Sequence, residues 1–406
     1  MKRKDSSILI LILGTLTALG PFSIDMYLPG FPAIANDLHT TVAEVSLSLS
    51  SFFIGISAGQ LLYGPLLDRY GRKNPLYFGL ILYVLTSVAC VFTNSIEALI
   101  VLRFIQAIGS CAAGVASVAM VRDLFPVEDN AKVFSLLMLV VGVSPMVAPT
   151  AGGYLTAALG WHSVFIALAL LASLILAAVY FRLPESSAPN PNYSLKPKPI
   201  IASFIGVLKE PLFVTYSITG ALAFAGLFAY VSGSPLVFME IFHVSEKTYG
   251  WIFALLSVGF IGASQVNSVL LKWYKSQQII FTALISQTII GCIFLSGTLS
   301  GAFGLYATIG MLFLFLCCLG LAFPNASALS LTPFSKNAGT ASALMGALQM
   351  AIGALSSIAV STLNDNTAGP MVLVIAGSTV AALFVLLVGR NKIKQQQLTS
   401  LVPEIG

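Results

Sequence analysis

The sequence predicts an all-α integral membrane protein with twelve transmembrane helices in two six-helix halves, and three observations predict it. Of 406 residues, 57% are hydrophobic and only 9% are charged, about a third of the charge a soluble domain carries. The apolar residues gather into runs long enough to cross a bilayer, which takes about 20 residues per helix. One long polar stretch, with PESSAPNPNYSLKPKP at its heart, separates six such runs from six more.

Apolar runs read against charges and Pro/Gly breaks give spans at 8–29, 45–64, 75–93, 98–121, 133–157, 161–182, 212–235, 248–270, 278–298, 303–327, 338–362 and 369–389. The chain then divides into a six-helix half over 1–183, a linker over 184–210, a second half over 211–390 and a tail over 391–406. Prolines and polar residues in the linker predict that it is not helical. An even number of spans puts both termini on one side, and the cations test this independently. Of the 20 Lys and Arg, including Lys2, Arg3, Lys4, Lys132 and Lys336, only Lys247 falls opposite the N-terminus and only Arg103 falls inside a span. Cytoplasmic segments carry such an excess, so both termini are expected in the cytoplasm, in a bacterial inner membrane. The opening MKRKDSS and its apolar run resemble a signal peptide, but eleven further spans make it an anchor that stays. Cations scattered over the loops leave no contiguous basic patch, which argues against nucleic acid as a partner.

The segment GPLLDRYGRKNPL, Gly64 to Leu76, sets Asp68, Arg69, Arg72 and Lys73 between two apolar runs. Such charges cannot enter hydrocarbon, so they predict a tight turn at a membrane face, with Gly64, Pro65 and Gly71 reversing the backbone. The pattern G-x-x-x-D-R-x-G-R-K resembles the loop signature of the major facilitator superfamily. The plainer alternative is a positive-inside loop with incidental glycines.

Two more stretches resemble signatures of drug/proton antiporters in that superfamily. LRFIQAIGSCAAG carries Arg103 and Gln106, and GVSPMVAPTAGG carries Pro145, Pro149, Gly152 and Gly153. Each departs once, with Ala107 and Ala148 standing where the pattern prefers Gly. PFSIDMYLPGFPAIANDL and MVRDLF look like the Bcr/CflA drug-resistance transporters. The resemblance implies two halves that rock about a midplane site, a proton-linked carboxylate near Asp25 and an essential arginine at Arg103. It also implies a latch in which the loop carboxylate Asp68 meets a helix N-terminus of the other half while Arg72 pairs with Asp123.

Read from the residues alone, Asp25 is the one acid well inside a span and Arg103 the one cation. An intramembrane ionisable group is a functional candidate because it is costly unless paired or facing water. Two structural alternatives stand beside this: span one could end at Pro21, leaving Asp25 in a loop, and Arg103 could be a strut on backbone carbonyls. The Pro/Gly run in span five should weaken and bend its helix, with or without a functional purpose. Phe224, Phe228 and Tyr230, with Gln106, Asn325 and Gln349, are candidates to line a weakly polar cavity, or simply to pack. The 5 cysteines read as core packing. No phosphate-loop motif occurs, and His39, His162 and His243 stand apart from any nucleophile or metal cluster, so neither a cofactor, a metal nor an enzyme activity is expected. The reading is a proton-coupled exporter of small amphipathic, drug-like compounds, expected to act as a monomer. The alternatives are a permease for a small metabolite, importing or exporting it, and a membrane sensor or channel.

Overall fold

The structure, a computed structural model, describes residues 3–191, 194–334 and 338–401. α1 (Arg3–Asp25) runs through Pro21 and is followed by a 3-10 turn (Leu28–Gly30) and the short α2 (Phe31–Asp37). Next come α3 (Val42–Tyr70), α4 (Lys73–Val91), α5 (Ile96–Leu124), α6 (Val127–Leu159) and α7 (His162–Arg182). α8 (Pro197–Leu208) precedes α9 (Pro211–Pro235), α10 (Glu246–Leu270), α11 (Ser276–Leu299), α12 (Leu305–Leu331), α13 (Ala338–Thr362) and α14 (Gly369–Leu401). The structure holds 12 helical segments long and apolar enough to cross a membrane, one taking in α1 and α2, the others α3–α7 and α9–α14. Every regular element among the described residues is a helix, with six spans before α8 and six after it. Of the cations, Lys2 and Lys336 and the side chains of Arg3, Lys4 and Lys132 lie outside the described residues.

These segments are apolar on all sides, as a helix between lipid and protein must be. Phe78, Leu85, Leu174 and Phe181 point outward, where they would meet hydrocarbon, while Tyr27, Phe31, Tyr83 and Phe165 fill the interior. On the face opposite the termini, the hydroxyls of Thr41, Ser95 and Ser245 accept from the backbone N–H of Glu44, Ala98 and Thr248. These caps start α3, α5 and α10, and an acid in each first turn complements the helix dipole.

Three expectations are corrected. Gly64 and Pro65 are not in the turn: α3 continues through both to Tyr70, and the reversal is made at Gly71, whose φ of +80° favours glycine. The linker is partly helical, because its prolines 197 and 199 fall in the first turn of α8, where a missing N–H costs nothing. Cys292 faces out of the bundle, and Cys317 and Cys318 are half-buried, leaving only Cys90 and Cys111 in the core. α14 continues past the last span to Leu401, so the tail begins as helix.

Two long pairings join the two sets of six spans: α3 lies along α13, and α6 along α10. Within the first set α5 packs on α3 and α4, and within the second α14 packs on α9.

Candidate functional site

At the face that carries the termini, Arg72 is the centre of a charge cluster. Its Nε donates to Asp123 Oδ2 at the end of α5, and its Nη1 donates to Asp68 Oδ1, both at 2.8 Å. Burial alone would lower the Arg72 pKa, but hydrogen bonds to Asp123 and Asp68 and their charges outweigh it and hold the pKa above its ordinary value. The cation therefore persists at any working pH. No hydrogen bond joins Asp68 to a helix N-terminus of the other set of spans among the described residues, although it shares the cavity mouth with Gly339 and Thr340 in the first turn of α13. The N-terminus of α4 is instead capped by Glu185, whose carboxylate accepts from the backbone N–H of Arg72 at 2.9 Å and of Lys73 at 3.0 Å. Lys73 Nζ donates to the Leu183 carbonyl at 2.7 Å, and the Arg69 carbonyl accepts from Asn190 N–H at 3.2 Å. Together these bonds tie α3, α4, α5 and the start of the linker into one unit.

Arg103 has no exposed surface. Its guanidinium lies over the rings of Phe52 and Tyr27, 4.2 and 4.7 Å from their centroids. It donates to the Ser23 carbonyl at 2.8 Å and to Gln106 Oε1 at 2.6 Å, and Gln106 Nε2 donates onward to Ser87 Oγ at 2.7 Å. Ring faces and carbonyl dipoles thus hold the cation in place of a counter-ion. Among the described residues it forms no ion pair, with Asp25 or any other acid. The bonds are those of a strut joining α1, α3, α4 and α5, so any part in coupling would act through the α1 backbone at Ser23.

Asp25 is the last residue of α1, and α1 does not stop at Pro21. At 6% exposure it is the one buried carboxylate among the described residues, and no hydrogen bond or ion pair to it is found among them. Tyr230 and Tyr249, from the second set of spans, lie within electrostatic range of it. Tyr249 Oη pairs with Ser234 Oγ at 2.8 Å, whereas Tyr230 Oη has no partner among the described residues.

A cavity of about 730 Å³ opens on the terminal face between α1, α3, α5, α8 and α13. Ile24, Ile56, Ser110 and Met350 line its middle; Asp68, Arg72, Arg122 and Asp123 stand at its mouth. Its second-half wall is the small-residue end of α13, with Gly339, Ser342, Ala343 and Gly346. Gln106, Phe224, Phe228, Tyr230, Asn325 and Gln349 do not line it. Gln106 is held by Arg103; Phe224 and Phe228 pack against one another and on Phe323 and Phe53. Tyr230 stacks on Phe253, and Asn325 Nδ2 donates to Asn267 Oδ1 at 2.6 Å. Asp25 is also absent from the lining, although its neighbour Ile24 belongs to it.

On the opposite face the two sets of spans are shut together. α6 runs unbroken through Pro145 and Pro149, and the use of its Gly pair is close approach. A Cβ on Gly152 would fall 2.0 Å from the Met26 carbonyl oxygen, and one on Gly153 would fall 2.5 Å from that of Glu246 in α10. Beside this seam a hydroxyl network joins α3 to α9 and α13. Ser46 pairs with Ser232, and with Ser361 at 2.9 Å; Ser50 pairs with Ser357 at 2.6 Å.

Residues 13–357 match the profile of the Major Facilitator Superfamily. The chain belongs to that superfamily. This facilitator-superfamily chain is 33% identical to a bicyclomycin resistance protein homolog of Haemophilus influenzae, over 96% of its own length and 98% of the relative's. It is 33% identical to the MFS-type transporter YdgK of Bacillus subtilis, over 91% and 92% of the two chains. With the multidrug resistance protein MdtL of Escherichia coli it shares 27% identity over 82% and 83%. Among solved structures, a D-xylose–proton symporter superposes with a TM-score of 0.74 at 15% identity, covering 93% of this chain and 96% of that one. The relatives make this facilitator-superfamily member a multi-pass membrane transporter and not an enzyme.

Sequence reasoning missed Glu185 and the serine network. Glu185 follows a Leu-Pro at the end of α7 with no local sign of its partner, which lies over 110 positions earlier in the chain. The serines of α3 do recur at Ser46, Ser48 and Ser50, a signal that spacing alone could have raised.

Proposed function

We propose that this chain is a proton-coupled exporter of small amphipathic, drug-like compounds, working as a monomer in a bacterial cytoplasmic membrane with both termini in the cytoplasm. Relatives named for bicyclomycin and multidrug resistance support the substrate class. The observation that carries the coupling is Asp25, a buried carboxylate without a basic partner, set where the first span meets the closed seam. A charge there is costly to bury, so shutting the seam favours the protonated acid. A proton taken from outside while the seam is open would be carried in as it shuts. Ile24, next in the chain, belongs to the cavity wall, which gives the proton an exit on the cytoplasmic side. The cavity volume is in the range that holds drug-sized ligands. In this reading the structure is the inward-open state, with the intact cluster of Arg72, Asp68 and Asp123 at the mouth as the first-half side of a latch that meets the second half on closing.

The test is Asp25→Asn in reconstituted vesicles with an imposed pH gradient. Asparagine is nearly isosteric with the protonated acid and cannot titrate. Uphill drug transport should be lost, while exchange of labelled for unlabelled drug persists. An Asn variant that still concentrates drug in response to the gradient removes Asp25 as proton carrier. A host stripped of its own pumps that gains no resistance on expressing the chain, over a panel of chloramphenicol-like, sulfonamide and bicyclic antibiotics, removes the substrate class.

A further inference from the structure

α8 has 12 residues, too short to cross a hydrocarbon core of about 30 Å, and it sits between two spans at the terminal face. Its apolar residues form a broad arc with two flanks. On one flank Ile200 and Phe204 wall the cavity mouth, and Val207, 2% exposed, packs with Phe213, Ala341 and Leu344. On the other, Ile201, Ile205 and Leu208 are 54%, 48% and 44% exposed and follow one another at the i, i+4, i+7 spacing of a single helix stripe. Lys198, Ala202, Gly206 and Lys209 complete the remaining side, and Lys196 precedes the helix; all three lysines are exposed. Glu210 is the one acid adjoining it.

A protein-facing flank, an exposed apolar stripe and a cationic side, in that order round one helix, suit a position in the lipid headgroup layer. We propose that α8 docks on an anionic leaflet surface, with Ile201, Ile205 and Leu208 in the acyl boundary and Lys196, Lys198 and Lys209 on lipid phosphates. Charge complementarity selects this occupant, because an apolar protein partner would leave three cations unmatched. Near an anionic leaflet each lysine is worth about 1 kcal/mol, roughly fivefold in occupancy. The same docking fixes one edge of the cavity mouth, since the other flank of α8 forms it.

Full-length protein without its native cysteines, carrying a spin label at Ile201→Cys or Ile205→Cys, tests this in nanodiscs. One set holds phosphatidylcholine alone, the other phosphatidylcholine and phosphatidylglycerol in equal parts. With phosphatidylglycerol the labels should lose collisions with a water-soluble nickel chelate and gain collisions with oxygen, while a label at Ser194→Cys stays water-exposed. The combined change Lys196→Gln, Lys198→Gln and Lys209→Gln should abolish the difference between the lipids. Labels equally wet in both lipids, or equally immersed in both, overturn the proposal. So does protection that grows with the number of copies per disc, which would assign the stripe to a second copy of the chain.

Discussion

Gly152 stands so close to the carbonyl of Met26 that the smallest side chain would put a methyl 2.0 Å from that oxygen. Neither residue lies in the cavity, yet the contact presses α6 of the fifth span against the end of α1, just past Asp25. That contact lies within the first set of spans; the seam with the second set is made beside it by Gly153 against Glu246 and by Gly250 against Thr150, again through missing side chains.

Gly153→Ala, whose methyl would fall 2.5 Å from the Glu246 carbonyl oxygen of the other half, should destabilise the shut seam without unfolding the bundle. Overpacking costs about 1–3 kcal/mol, roughly a factor of five to a hundred and fifty in the balance of two states. Transport should fall by at least an order of magnitude at equal protein in the membrane, and a cysteine at Ser46 should become more reactive towards an impermeant reagent. Unchanged reactivity and rate would mean the seam tolerates the methyl.

Ser46→Cys with Ser361→Cys, in a background without the native cysteines, should cross-link on oxidation, because the two hydroxyls are 2.9 Å apart. The cross-linked protein should lose transport and recover it with reductant. Full activity while oxidised would show that α3 and α13 need not part at that end.

Arg103→Ala should lower the melting temperature in detergent strongly, since it leaves the Ser23 carbonyl and Gln106 Oε1 buried and unpaired, at a cost of about 3 kcal/mol or more. Arg103→Lys should also melt early, because an ammonium cannot fill both bonds and lie flat between two rings. A lysine variant with unaltered melting would detach Arg103 from the strut role.

Arg72→Asp should cripple transport, and adding Asp123→Arg should restore part of it by reversing the pair. Asp68→Asn should reduce transport far more than it reduces membrane protein, and Arg69→Ala should be milder. Equal rates at equal expression would leave the cluster as a surface feature.

Single cysteines at Ser194 and Asn364 should be labelled from opposite sides of the membrane, with Asn364→Cys the one reached from outside in intact cells. External labelling of Ser194→Cys would reverse the proposed orientation.

The number of spans, the shared side of the termini and the charged turn after α3 were legible in the chain, because hydrocarbon excludes charge and unpaired backbone and so writes itself into every run of residues. Arg72 with Asp123 was legible too, through the resemblance that joins the two segments. What the chain could not decide was which side chains face one another across helices. Aromatic residues read as possible cavity lining, Phe224 and Phe228 among them, became packing because rings on neighbouring helices found each other first. The cavity took its second-half wall from small residues of α13, which carry no chemical mark. Arg103 read as an essential arginine or as a strut on backbone carbonyls, and only the tertiary structure showed which groups it joins, Tyr27, Phe52 and the Ser23 carbonyl, with Asp25 turned towards the other half. Spacing along one helix fixes a residue's depth and face; the partner on that face depends on how whole helices cross, and that is set by glycines such as Gly152 acting far from them in the chain.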